Sequence, residues 1–210
     1  MIKSRELSIV STGDDISEVL NEAESFAVSA GLNEKQTRRL RLLTEDTMAM
    51  LKTVTGEIDI NMTFINKDDD CVIHLETETA MNLEKRENLI SLSKSGKNES
   101  AKGITGKIRE AFELAFLMPG SGPDAELVAC ASPSIAMGMP GDIGATDFMN
   151  VVYWSLSRYR DSVEDGSFDG ENKDEAWDEL ERSVVGSLAD DVKVGIRNDH
   201  VALDVYMKKA

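Results

Sequence analysis

The chain has 210 residues, 41% hydrophobic and 30% charged, with a formal net charge of −16. This length and apolar content suit one large domain, or one domain with a sizeable insertion, and argue against global disorder, while the acidic balance argues against nucleic acid or an anionic membrane surface as a main partner. Two cysteines, Cys71 and Cys130, give no disulfide ladder or zinc site, no apolar run approaches a membrane span, and the polar opening Met1-Ile2-Lys3-Ser4-Arg5-Glu6 has no signal-peptide pattern, so the expected location is cytoplasmic.

Aromatic residues make up only 5% of the chain, so aliphatic residues and ten methionines must build the core. Residues 6–10 read as a strand. A helix follows to Ala30, with Ile16, Val19, Leu20, Ala23, Phe26 and Ala27 at helical spacing, and Gly31 stops it. Asn33 caps a second helix whose apolar stripe is Leu40, Leu43, Thr47, Met50, Leu51 and Val54, ending at Gly56. Residues 57–65 and 71–78 alternate apolar and polar around a hairpin loop at Asn66-Lys67-Asp68-Asp69-Asp70, the pattern of a sheet with one wet face.

The middle of the chain carries weaker signals. A polar helix is expected over 83–92, a helix from Ile104 to Phe116 with Ile108 inward, a strand over 126–131 and a loop over 132–145. A helix capped by Thr146 or Asp147 is expected to run to Arg160, with Phe148, Val152, Ser155 and Tyr159 in register, followed by an acidic linker over 161–173. Residues 174–189 read as one helix with Trp177, Leu180, Val184 and Leu188 on one face. Val192, Val194 and Ile196, then Val201, Leu203, Val205 and Met207, form a terminal hairpin around Asn198-Asp199.

The order strand, helix, helix, strand, strand, long middle, helix, strand, strand, together with LRLLTEDTMAMLKTVTGEIDINMTF (residues 40–64) and Leu188-Ala189-Asp190-Asp191-Val192, resembles the Bergerat or GHKL ATPase fold, in its anti-sigma-factor serine-kinase branch. The resemblance covers residues 4–79 and 174–208. It implies an α+β fold, a two-layer sandwich with a mixed, mainly antiparallel sheet covered on one face by helices. Residues 80–173 would be an insertion in the lid region of this one ATPase-like domain. It also implies ATP or ADP as the ligand.

The family's chemistry resides in three places. A box Glu-x3-Asn-x3-His on the second helix supplies the polarising Glu and the Asn that binds magnesium. Here those positions are Glu45, Ala49 and Thr53. Glu45 is the candidate catalytic residue, or else the partner of Arg41 in an i,i+4 ion pair, and Ala49 has no oxygen to offer magnesium. An Asp-x-Gly-x-Gly turn should follow the strand ending near residue 78, where Glu76-Thr77-Glu78-Thr79-Ala80 stands without a glycine; Glu76 or Glu78 could accept from an amine. A glycine-rich loop should hold phosphate. The stretch from Lys94 through Lys97, Lys102, Gly103 and Gly106 to Lys107 has the chemistry of an anion cradle entering a helix, or of a basic loop offsetting an acidic surface.

Other sites fail on spacing. His74 and His200 stand isolated without a second nitrogen ligand, and Asp161–Gly166 lacks the closing Glu of a calcium loop. The expectation is therefore a regulatory protein impaired in magnesium-dependent phosphoryl transfer, with another protein as partner and no metal site. The alternatives are a working kinase or ATPase with a rebuilt phosphate-binding lid, and an interaction module that binds no nucleotide.

Overall fold

The computed structural model describes residues 1–11, 15–55, 58–78, 104–108, 151–166, 173–197 and 200–209. The expectations for 83–92, 126–131 and 132–145 lie outside these residues, as do Lys94, Lys97, Lys102 and Gly103.

Among the described residues, seven strands form one open sheet: β1 (Ile2–Lys3), β2 (Leu7–Val10), β3 (Asp59–Lys67), β4 (Asp70–Glu78), β5 (Val151–Ser155), β6 (Asp191–Arg197) and β7 (His200–Lys208). Their order is β1-β3-β4-β7-β6-β5, with β2 also paired to β3. Every pairing among the described residues is antiparallel, against an expected sheet that was mixed but mainly antiparallel. With the helices described below, the chain is of the α+β class. The β3–β4 hairpin is tighter than the expected five-residue loop. Lys67 pairs with Asp70, and Asp68 turns the chain at φ 53, a conformation Asp tolerates better than most residues.

Alternation sorts the two faces. Ile60, Met62 and Phe64 of β3, Cys71, Ile73, Leu75 and Thr77 of β4, Val192 and Val194 of β6, and Val201, Leu203, Val205 and Met207 of β7 are buried on one side. Helix α1 (Ile16–Ser29) and helix α2 (Glu34–Thr55) lie against that side. Val19, Ala23, Phe26 and Ala27 meet Leu40, Leu43 and Leu51 in the same core, and the Phe26 and Phe64 rings stack at 5.7 Å. Fully burying one such large side chain contributes about 1.5–3 kcal/mol. Asn33 caps α2 as expected: the Gln36 amide donates to Asn33 Oδ1 at 3.0 Å, and the Asn33 amide donates to Gln36 Oε1 at 2.8 Å.

The second half departs from expectation in three places. Val151–Ser155 is a strand, not the body of a helix starting near Asp147. Its Val-Val-Tyr-Trp run favours a pleated surface, and it closes the sheet by pairing with β6, Trp154 opposite Val194. The helix begins only at Leu156 and continues through the expected linker to Asp165 (α3), burying Leu156, Tyr159 and Val163. Gly166 ends it at φ 77, a left-handed conformation a side chain would resist. Third, residues 174–189 are two helices, α4 (Lys173–Arg182) and α5 (Val184–Leu188), broken at Ser183, whose Oγ accepts from the Gly186 amide. Trp177 is 41% exposed and Val184 37%, while Ala176, Leu180 and Val185 face the core. Ile104 and Ile108, in a helical segment at 104–108, are buried in the same core.

Candidate functional site

Helix α2 presents Glu45 and Ala49 outward, both exposed. Arg41 turns to α1 and pairs with Glu24, so the Arg41–Glu45 bridge expected from helical spacing is replaced by one between helices. Asp46, one position on, faces α5 and accepts from the Val185 amide at 3.1 Å, capping that short helix. Of the lysine-rich stretch, Gly106 and Lys107 lie half-buried in the segment at 104–108, which its isoleucines anchor.

Where α2 ends over the sheet there is a cavity of about 10 Å³ between Leu51, Ile58, Ile60, Leu75 and Val201, with Glu76 and Thr77 on its rim. That is room for roughly one water, whereas ligand pockets run to about 300 Å³ or more. Its walls are hydrocarbon, and the Thr77 hydroxyl already donates to the Asp59 carbonyl at 2.8 Å. Glu78 is exposed, and Glu76 leans towards His74.

The run Leu188-Ala189-Asp190-Asp191-Val192 is held from two sides. Arg39 of α2 donates through Nε to the Leu188 carbonyl at 2.8 Å and pairs with Asp190 at 2.8 Å. Arg160 of α3 donates to the carbonyls of Ala189 and Asp190, each at 3.1 Å, and to that of Gly186. Asp190 also accepts from the Lys208 amide at 2.7 Å, and Asp191 accepts from the Ser157 amide at 2.9 Å, supplying the cap that Ser155 does not make for α3. Both aspartates therefore hold backbone in place.

The opposite, polar face of the sheet carries a network that strand alternation alone does not reveal. His74 stands at the centre of β4, opposite Thr63 of β3 and Asp204 of β7. Its Nδ1 lies 2.5 Å from Asp204 Oδ1 and its Nε2 3.6 Å from Glu76 Oε1. The partners of His74 are thus carboxylates brought together by strand register, with no second nitrogen ligand beside it among the described residues. The hydrogen bond to Asp204 outweighs partial burial and raises the imidazole above its ordinary pKa, with the Asp204 and Glu76 charges adding to it. Tyr206, two residues along β7, is raised by burial and by the nearby charges of Asp204 and Asp191. Lys193 lies 4.6 Å over the Tyr206 ring and 3.8 Å from Asp191. On the inner face, burial pushes the Cys71 thiol up to about 12, leaving it unreactive at neutral pH.

Among the described residues, no group of three or more His, Cys, Asp or Glu is placed to hold a metal ion, and no helix is long and apolar enough to cross a membrane. Compared with known proteins, the chain matches no family model, no curated protein and no solved structure.

Proposed function

We propose that this chain is a regulatory protein built like the ATP-binding domain of anti-sigma-factor kinases, with residues 80–173 elaborating the lid region, and that it acts by binding another protein rather than by transferring phosphate. The observation that carries the reading is the small, apolar hollow under the end of α2 among the described residues, the place where the resemblance would put the nucleotide. A water-sized space with hydrocarbon walls offers neither the volume nor the convergent polar groups that a nucleotide needs. Ala49 beside Glu45 supports it further, since positioning of phosphates through magnesium is most of what phosphoryl transfer requires. The exposed side chains of Leu42 on α2 and Trp177 on α4 suit a protein partner, tryptophan being enriched at such contacts.

An assay of phosphate release and of γ-phosphate transfer to protein, with millimolar ATP and magnesium, tests the proposal. The expected result is turnover indistinguishable from a buffer blank and unchanged by Glu45→Gln. Magnesium-dependent turnover that Glu45→Gln abolishes would instead make Glu45 catalytic and return the chain to the kinases.

A further inference from the structure

We infer that His74 and Asp204 form a proton-controlled clasp across the seam between the two halves of the sheet. The strands β1–β4 come from the first part of the chain and β5–β7 from the last, and among the described residues only the β4–β7 pairing joins the two sets. His74 and Asp204 face each other directly in that pairing, at its middle, on the face the helices leave uncovered among the described residues.

The surroundings of the imidazole are unbalanced in charge. Asp204 from β7 and Glu76 from β4 lie within 2.5 and 3.6 Å. Tyr206 shares the β7 side with Asp204, and Thr63 of β3 is neutral. The cations bearing on the site are Lys3 of β1, whose charge opposes protonation of His74, and Lys193, opposite Asp204 on β6 and turned to the Tyr206 ring and Asp191. A protonated His74 compensates the two carboxylates. A neutral one leaves both carboxylates uncompensated on a half-buried surface, and the attraction across the seam falls from that of an ion pair to that of a hydrogen bond from a neutral imidazole to a carboxylate. Because the folded chain holds the His74 proton to higher pH than the unfolded chain, the clasp is complete below the unfolded value of about 6.5 and is lost as pH rises through the folded value.

The test is a pair of measurements on the full chain. A proton-NMR titration of the His74 Cε1–H, assigned with His74→Gln and with His200→Gln as control, should show a midpoint above about 6.5 that drops in Asp204→Asn. Thermal unfolding should then place wild type above His74→Gln by roughly 2–4 °C at pH 6, with the gap shrinking towards zero by pH 9. A midpoint at or below the unfolded value, a midpoint untouched by Asp204→Asn, or a gap constant across pH would each overturn the clasp. The midpoint is read on folded protein, so it decides the matter even where a variant is less stable.

Discussion

Replacing Arg160 with methionine is expected to cost about 2–3 kcal/mol of stability, the range for losing a charge-assisted hydrogen bond to partly buried acceptors. The guanidinium reaches three carbonyls, those of Gly186, Ala189 and Asp190, at the point where α5 ends and β6 begins. They lie at and just beyond the end of a short helix, where backbone carbonyls lack helical partners. Methionine keeps most of the apolar stem but none of the donors. Lysine should rescue little, because one ammonium cannot fork across three acceptors. Arg158, exposed two residues earlier, is the control: Arg158→Met should leave the urea midpoint in place. A midpoint shift for Arg160→Met no larger than the control's would mean that water replaces the guanidinium at no cost.

Gly186→Ala should destabilise by about 1–3 kcal/mol, the range for overpacking, even though alanine is the better helix former by about 1 kcal/mol. A Cβ at residue 186 would stand 2.3 Å from Ile104 Cδ1 and 2.7 Å from the Leu180 carbonyl oxygen. The isoleucine methyl can turn aside. The carbonyl belongs to α4 and cannot, so α5 must move away from α4 and from the Asp46 cap on α2. Ile104→Val should accordingly restore only part of the loss. Chemical denaturation of the single and double variants reads this directly, and a Gly186→Ala protein as stable as wild type would show that α5 is not wedged in place.

Neither effect is legible in the sequence, and the reason is physical. The helices α1 and α2 and the β3–β4 and β6–β7 hairpins are set by local period and turn chemistry, so Phe26, Leu43, Ile60 and Val205 fall on the side their spacing assigns. Strand β5 is different. Val152, Ser155 and Tyr159 fit a helical spacing, and only the pairing with β6 selects the strand. In α4 the core takes the side of Ala176 and Leu180, four residues apart, and leaves Trp177 exposed beside them. His74 and Asp204 are 130 residues apart, and their meeting depends on strand register rather than on any motif. Arg39 and Arg160 likewise act on backbone carbonyls, which leave no trace in composition. Of the positions singled out from the resemblance, Glu45 and Ala49 lie on the outward face of α2, as their spacing relative to the apolar stripe suggested.

As sequence, the run Leu188–Val192 only matches a family texture. In the fold, Asp190 ties α2 to β7 through Arg39 and the Lys208 amide, and Asp191 starts α3. Its acidity thus has a structural use that needs no nucleotide.

The central claim is that the space under α2 does not serve as a magnesium-nucleotide site, and thermal unfolding with 5 mM ATP or ADP, with and without magnesium, tests it most directly. A site with a Kd of about 50 μM would add about 2.7 kcal/mol at that concentration, a rise of roughly 5–10 °C for a chain of this size. The account predicts a midpoint within about 1 °C of the ligand-free value in all four conditions, since a ligand that does not bind the folded state cannot stabilise it. A rise of several degrees that requires magnesium would contradict it.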